Sequence, residues 1–279
     1  MTADYGNEWQ TRFGEGWHGS GETPDLPWLR QVLQRRTHRR FAPRDIPEPL
    51  LRLLLGVAFS ASSKSDYQQA SVIHVVDRNR RDRIAALMPD MPWIASAPVF
   101  LVFLGDARRL ERLGEMCGHP NDNRRLEGFF NATVDAALAL QTFVLAAETA
   151  GLGCCPISVL RNHAGDIGEI LELPDRVFPV AGLCVGYPAA EGFVSMRLPL
   201  AVTVHRDRYD DRDLAEAVAA YDRRRAARYA PPRERQRAPA IFGYAEFYGW
   251  SEDKTRQTAG EPEGATFPAY LRRSGFTFD

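Results

Sequence analysis

Between residues 35 and 41 the chain reads Arg35-Arg36-Thr37-His38-Arg39-Arg40-Phe41, with arginine at four of six successive positions and a hydroxyl among them. A guanidinium presents a planar fork of donors, suited to a phosphate or to the carbonyl edge of a flat heterocycle. A solvated basic helix end, favoured by the helix macrodipole, would look the same taken alone. Three later stretches add to it. Ser62-Ser63-Lys64-Ser65-Asp66-Tyr67-Gln68-Gln69 is a polar loop entering an apolar run, and its hydroxyls and amides can donate and accept. Gly151-Leu152-Gly153-Cys154-Cys155-Pro156-Ile157-Ser158 follows a long apolar stretch. Pro179-Val180-Ala181-Gly182-Leu183-Cys184-Val185-Gly186-Tyr187-Pro188 precedes Arg197-Leu198-Pro199. Metal chemistry has no such support: Cys117, Cys154, Cys155 and Cys184 form no Cys-x-x-Cys pair and have no histidine cluster beside them. All four are expected to be free and buried or half-buried. His38 and His74 are read as structural, since neither has a visible catalytic partner.

The elements that must position these residues follow from periodicity and punctuation. Residues 25–34 predict a helix with Asp25 as N-cap and Pro27 early. A second helix opens at Ile46-Pro47-Glu48-Pro49 and is apolar almost all round through Leu50, Leu51, Leu53, Leu54, Leu55 and Val57, so burial on most faces is expected. Strands are predicted at 71–77, at 99–105 as a central strand covered on both faces, and at 180–187. Amphipathic helix is expected at 78–88 and another helix at 163–171. The longest helix pattern spans 128–150, with Phe129, Phe130, Val134, Leu138, Phe143, Val144 and Leu145 expected in the core and Gly151 as its stop. Residues 211–225 predict a helix ended by Pro231-Pro232, and a short helix is expected near 267–273. Residues 1–24 are punctuated by Gly6, Gly14, Gly16, Gly19 and Gly21, with Trp9, Phe13 and Trp17 four apart, so a tail or a short docked helix is expected there.

With 279 residues and 44% hydrophobic composition, the chain can bury one large core or two smaller ones. A formal net charge of −1 gives no global field directed at nucleic acid or an acidic membrane. No uninterrupted apolar run approaches the roughly 18 residues that span a bilayer, and residues 1–21 lack a basic-then-apolar signal, so a cytoplasmic protein is expected.

The four stretches, in this order, resemble the nitroreductase / flavin reductase family of FMN enzymes, and within it the NADPH-dependent, oxygen-insensitive nitroreductase and flavin oxidoreductase branch. The resemblance runs from about Trp28 to His205, with an echo in the segment 249–257. It implies an α+β fold with a mixed, mainly antiparallel sheet flanked by helices, built as an intertwined homodimer. The implied division is an N-terminal extension at 1–24, an FMN-binding core at 25–205 and a C-terminal helical arm at 206–279. It places Arg35, Arg36 and Thr37 at the phosphate and ribityl end of FMN and Arg39 at the pyrimidine edge. Ser62, Ser63, Lys64 and Gln68 fall in a loop that the family usually lends from the partner subunit. Pro156, Ile157, Ser158 and Val159 match the stretch lying against the isoalloxazine, and Arg197 matches a second phosphate ligand. The implied reaction passes hydride from NADPH or NADH through the flavin to nitroaromatic, quinone or flavin acceptors in ping-pong order, without a protein nucleophile or a metal. Departures are visible: Ser195 stands where the branch has a lysine, and Ser158 and Val159 stand at its flexible glycines. The segment that selects the 2′-phosphate is rewritten as 229–237, with Arg233, Arg235 and Arg237 as candidate grips. These departures keep open other flavin chemistry on the same scaffold, reductive dehalogenation or flavin fragmentation, and a non-catalytic protein binding an anion or a partner.

Overall fold

A computed structural model describes residues 4–17, 23–260 and 263–278. Gly19 and Gly21 of the N-terminal reading lie outside the described residues. The chain divides into two compact units, each made of two segments: Arg36–Gly192 with Gly264–Asp279, and Met1–Arg35 with Phe193–Glu263.

The first is a sheet unit. Its strands are β1 (Ala70–His74), β2 (Val99–Asp106), β3 (Gly153–Ile157) and β4 (Val177–Gly186), ordered β1-β2-β4-β3 and antiparallel throughout. Among the described residues, a parallel bridge from Thr37 to Cys154 makes the assembly mixed. Alternation explains the apolar runs. Leu101 and Phe103 of β2 face one core, with Leu183 and Val185 of β4; Phe100, Val102 and Leu104 face a second core, with Cys184. Helices cover both cores, so β2 and β4 are apolar on both sides. Within the sheet, close approach is tightest at Gly105, where a Cβ would lie 2.3 Å from the Phe178 ring.

Strand β3 is absent from the periodicity reading. It is an edge strand, and exposed Pro156 lacks only an N–H that such an edge can do without. The same alternation separates the adjacent cysteines: Cys154 enters the first core, while Cys155 enters the second, opposite Cys184. Burial, then Cys155, pushes the Cys184 thiol well above its ordinary range, which disfavours the reactive thiolate. Cys117 corrects the expectation for the four cysteines, because it is exposed.

The long helix, Leu126–Thr149, also differs from its predicted packing. Ala132, Ala136, Ala139, Phe143, Val144 and Ala147 face the core, and the small side chains let the backbone approach the sheet. Phe130, Val134 and Leu138, expected inside, are exposed, and with Leu126 they form a stripe of every fourth residue. The helix Glu48–Ala58 repeats the pattern: Leu51, Leu54 and Ala58 are buried, whereas Leu53 and Val57 are exposed. By length and composition Leu126–Thr149 could cross a bilayer, a property the count of consecutive apolar residues missed because polar residues interrupt it. Here it is the spine of a core. Gly151, at φ 78°, follows its end as expected.

The second unit is helical among the described residues: Gly6–Phe13, Pro27–Leu33, Leu214–Tyr229 and Trp250–Gly260 are its main elements. Residues 4–17 are docked, with Trp9 between Phe13 (4.4 Å) and Trp17 (4.8 Å), and Tyr5 Oη donating to Pro24 O at 2.8 Å. Asp25 does not cap the helix Pro27–Leu33; its carboxylate accepts from Arg30 Nε at 3.0 Å, and Leu26 occupies the cap position. Tyr221, buried on Leu214–Tyr229, donates to Met196 O at 3.0 Å and meets Trp250 edge-on.

Candidate active site

In the sheet unit, the arginine stretch is bound along the outer edge of β3. His38 N donates to Cys154 O at 3.0 Å, Ala42 N to Tyr187 O at 2.8 Å and Ala189 N to Arg40 O at 3.0 Å. Residues 36–42 therefore lie between β3 and the segment 187–192. Arg36 Nη1 reaches Glu191 Oε1 (2.8 Å) and Gly192 O (3.2 Å). Arg39 is exposed, with its guanidinium 5.4 Å from the Trp93 ring centroid. A shallow hollow of about 420 Å³ opens between Arg36, His38 and Pro188–Glu191. Pro156 and Ser158 face solvent at the end of β3, Val159 is half-buried, and Ile157 is buried in the second core. One strand edge thus brings together Arg36, Thr37, Arg39 and the Pro156–Val159 stretch.

The loop carrying Ser62, Ser63, Lys64 and Gln68 is elsewhere. It leads into β1, at the opposite edge of the sheet, three strand spacings or about 14 Å from β3. A residue not foreseen from sequence holds it. Asp135, on the long helix and 3% exposed, accepts from Ser63 Oγ (2.7 Å), Lys64 N (3.0 Å) and Gln69 N (2.9 Å). Ser63 Oγ in turn accepts from Gln68 N at 2.7 Å. Ser65, Asp66 and Gln68 all have φ between 50° and 58°, a left-handed conformation that costs non-glycine residues roughly 1 kcal/mol each. Such strain persists where surrounding bonds over-determine it, and the buried carboxylate supplies them. A cavity of about 770 Å³ opens beside the loop, lined by Ser62, Ser63, Gln68, Ser71, Arg109 and Asp135. Arg109 was also missed; it bonds Ser71 Oγ at 2.6 Å, Asp106 Oδ2 at 2.9 Å and the Gln68 carbonyl. The signal for Asp135 was present in the sequence as an acid amid Val134, Ala136 and Ala137.

Arg35 and Arg197 belong to the helical unit. Burial, and then the nearby Arg35 charge, lowers the Arg197 pKa, so the two cations are neighbours. The rewritten segment in the same unit is well anchored. Gln236 exchanges two 2.9 Å hydrogen bonds with the backbone of Ala245, and Arg237 Nε lies 3.3 Å from Asp253 Oδ1. Arg233 sits 4.7 Å from the Tyr244 ring centroid beside a cavity of about 550 Å³, and Arg235 is exposed. Arg237 is thereby tied to an acid, leaving Arg233 and Arg235 as the outward cations of the three.

A sheet covered by helices on both faces, with an arginine stretch along one edge and a strained serine loop at the other, defines an α+β protein of the nitroreductase type. Residues 32–187 match the nitroreductase family and residues 195–279 its C-terminal domain, so the chain belongs to that family. It is 35% identical over 199 residues to an FMN reductase [NAD(P)H] of Bacillus subtilis, covering 70% of this chain and 79% of that protein. It is 29% identical over 252 residues to an NADPH-flavin oxidoreductase of Vibrio harveyi, covering 88% and 97%. The solved structure of the Vibrio harveyi NADPH:FMN oxidoreductase complexed with NAD+ has a TM-score of 0.77 at 28% identity, covering 89% of this chain and 98% of that one.

Proposed function

We propose that this protein is an FMN-dependent oxidoreductase that takes hydride from NADPH or NADH and passes it to nitroaromatic, quinone or free flavin acceptors in ping-pong order. The observation carrying it is the β3 edge, where Arg36, Thr37 and Arg39 stand beside exposed Pro156 and Ser158. The donor set suits FMN: guanidiniums for a phosphate dianion, a forked cation for the pyrimidine carbonyls and a proline surface for the ring. The relatives' names, FMN reductase and NADPH-flavin oxidoreductase, support the same cofactor. Bound FMN would supply the hydride-transfer chemistry between the nicotinamide and the second substrate.

The chain's own residues bind and orient. Arg35, Arg36, Thr37 and Arg197 hold the phosphate and ribityl end. Arg39 holds the pyrimidine edge, where its charge offsets negative charge gathered during turnover. Pro156, Ser158 and Val159 form the wall along the ring, and Ile157, buried in the second core, supports that wall from behind. Ser62, Ser63, Lys64 and Gln68 contact the cofactor held by the partner subunit, a reading supported by their position at the opposite edge of the sheet. A homodimer built on the exposed stripe of Leu126, Phe130, Val134 and Leu138 brings two such edges together. Four free cysteines suit a cytoplasmic location.

The test is an absorbance spectrum of the purified protein, followed by anaerobic addition of NADPH and then NADH. A flavin spectrum that bleaches, then recovers with a nitroaromatic or quinone, is expected. A flavin bleached by neither nicotinamide would favour other flavin chemistry, and failure to take up added FMN would overturn the reading.

A further inference from the structure

Arg12 lies on the helix Gly6–Phe13 and is only 7% exposed. A buried guanidinium is costly unless good acceptors surround it. Main-chain carbonyls from two segments far apart in sequence receive it. Its Nε donates to Leu33 O at 2.7 Å, its Nη2 to Arg35 O, and its Nη1 to Ser195 O at 2.6 Å. The contact is returned, since Arg197 N donates to Arg12 O at 2.7 Å. Arg12 therefore fastens the backbone at Arg35 to the backbone at Arg197. These like charges repel, and Arg35 already depresses the Arg197 pKa after burial has done so. Their mutual electrostatics do not keep them side by side, and Arg12 joins the backbone beneath them.

We propose that Arg12 is a positioning residue for the phosphate end of the flavin: it clamps residues 33–35 to residues 195–197 so that Arg35 and Arg197 face one phosphate dianion together. Because that phosphate belongs to the FMN of the proposed function, the inference rests on that reading. The fork of one guanidinium spans both segments, which a lysine's single ammonium does less well. The N-terminal segment thus acts on cofactor affinity through backbone geometry.

The experiment titrates FMN and riboflavin, which lacks the phosphate, into apoprotein of wild type, Arg12→Gln and Arg12→Lys, following flavin fluorescence. Arg12→Gln is expected to weaken FMN about ten-fold or more while riboflavin stays within about two-fold. Arg12→Lys, which keeps the charge and is the readout if the glutamine variant does not fold, should fall between. FMN affinity unchanged in both variants, or an equal loss for FMN and riboflavin, overturns the inference and leaves the function intact. Wild type that binds FMN no better than riboflavin also overturns it. Wild type that binds neither flavin overturns the functional reading itself, and the inference with it.

Discussion

At the scale of single residues, the arginines divide their labour by what already holds them. Arg36 is paired with Glu191, whereas Arg39 is exposed over Trp93 and can turn its fork to a ligand. Arg39→Ala is therefore expected to weaken FMN binding or slow nicotinamide-driven bleaching by about ten-fold, near the 1.4 kcal/mol of one charge-assisted bond. Fluorescence titration and stopped-flow absorbance would show it; wild-type values in both would remove Arg39 from the site. Ser195 lacks the amine expected there, yet Arg12 Nη1 lies 2.6 Å from its carbonyl, so positive charge still reaches that part of the chain. Asp135 is the clearest residue outside the motifs. Asp135→Asn puts an amide in place of a carboxylate that accepts three hydrogen bonds, so about 1–3 kcal/mol of stability should be lost. Amide hydrogen exchange over residues 62–69 should quicken in that variant; unaltered protection would mean the loop holds its shape without the carboxylate.

Among the elements, the long helix carries the most information. Its alanines face the sheet and its larger apolar side chains face out, the reverse of a simple core assignment. Size decides this: a helix packed close to a sheet needs small side chains at the contact. The outward stripe then needs a cover. If the proposed homodimer forms on this stripe, Phe130→Asp combined with Val134→Lys should shift the protein toward monomer in light scattering after gel filtration. FMN affinity should fall with it, if the partner subunit completes each site. A double variant that stays dimeric with full FMN affinity would move the interface elsewhere. Strand β3 shows the same dependence on context, because proline is tolerated only where an edge leaves its missing N–H unneeded.

For the whole molecule, each compact unit joins an early to a late segment, so residues remote in sequence share an environment. The helical unit holds the rewritten segment, and Asp222 bonds Ser251 N at 3.1 Å while Trp250 packs on Tyr221. Excising 229–257 would damage that packing, so point changes separate recognition from stability better. Replacing Arg233 and Arg235 together by alanine should raise KM for NADPH about five- to ten-fold, with KM for NADH and FMN content unchanged. Equal effects on both nicotinamides would remove these arginines from 2′-phosphate recognition.

The sequence by itself determined the family motifs, most helices and three of the four strands, because these rest on local periodicity, caps and breakers. Arg35–Arg40, Ser62–Gln69 and Arg197 carry the resemblance to the nitroreductase family through residue type and order. Only the tertiary structure decided which side of an all-round apolar helix lies inward, since that depends on the surface opposite it. It also decided that the serine loop and the arginine stretch occupy opposite sheet edges, and that Asp135 and Arg12 anchor their neighbours. Those contacts join residues 21 to 183 positions apart, separations that no local pattern encodes and that only the folded chain brings within hydrogen-bonding distance.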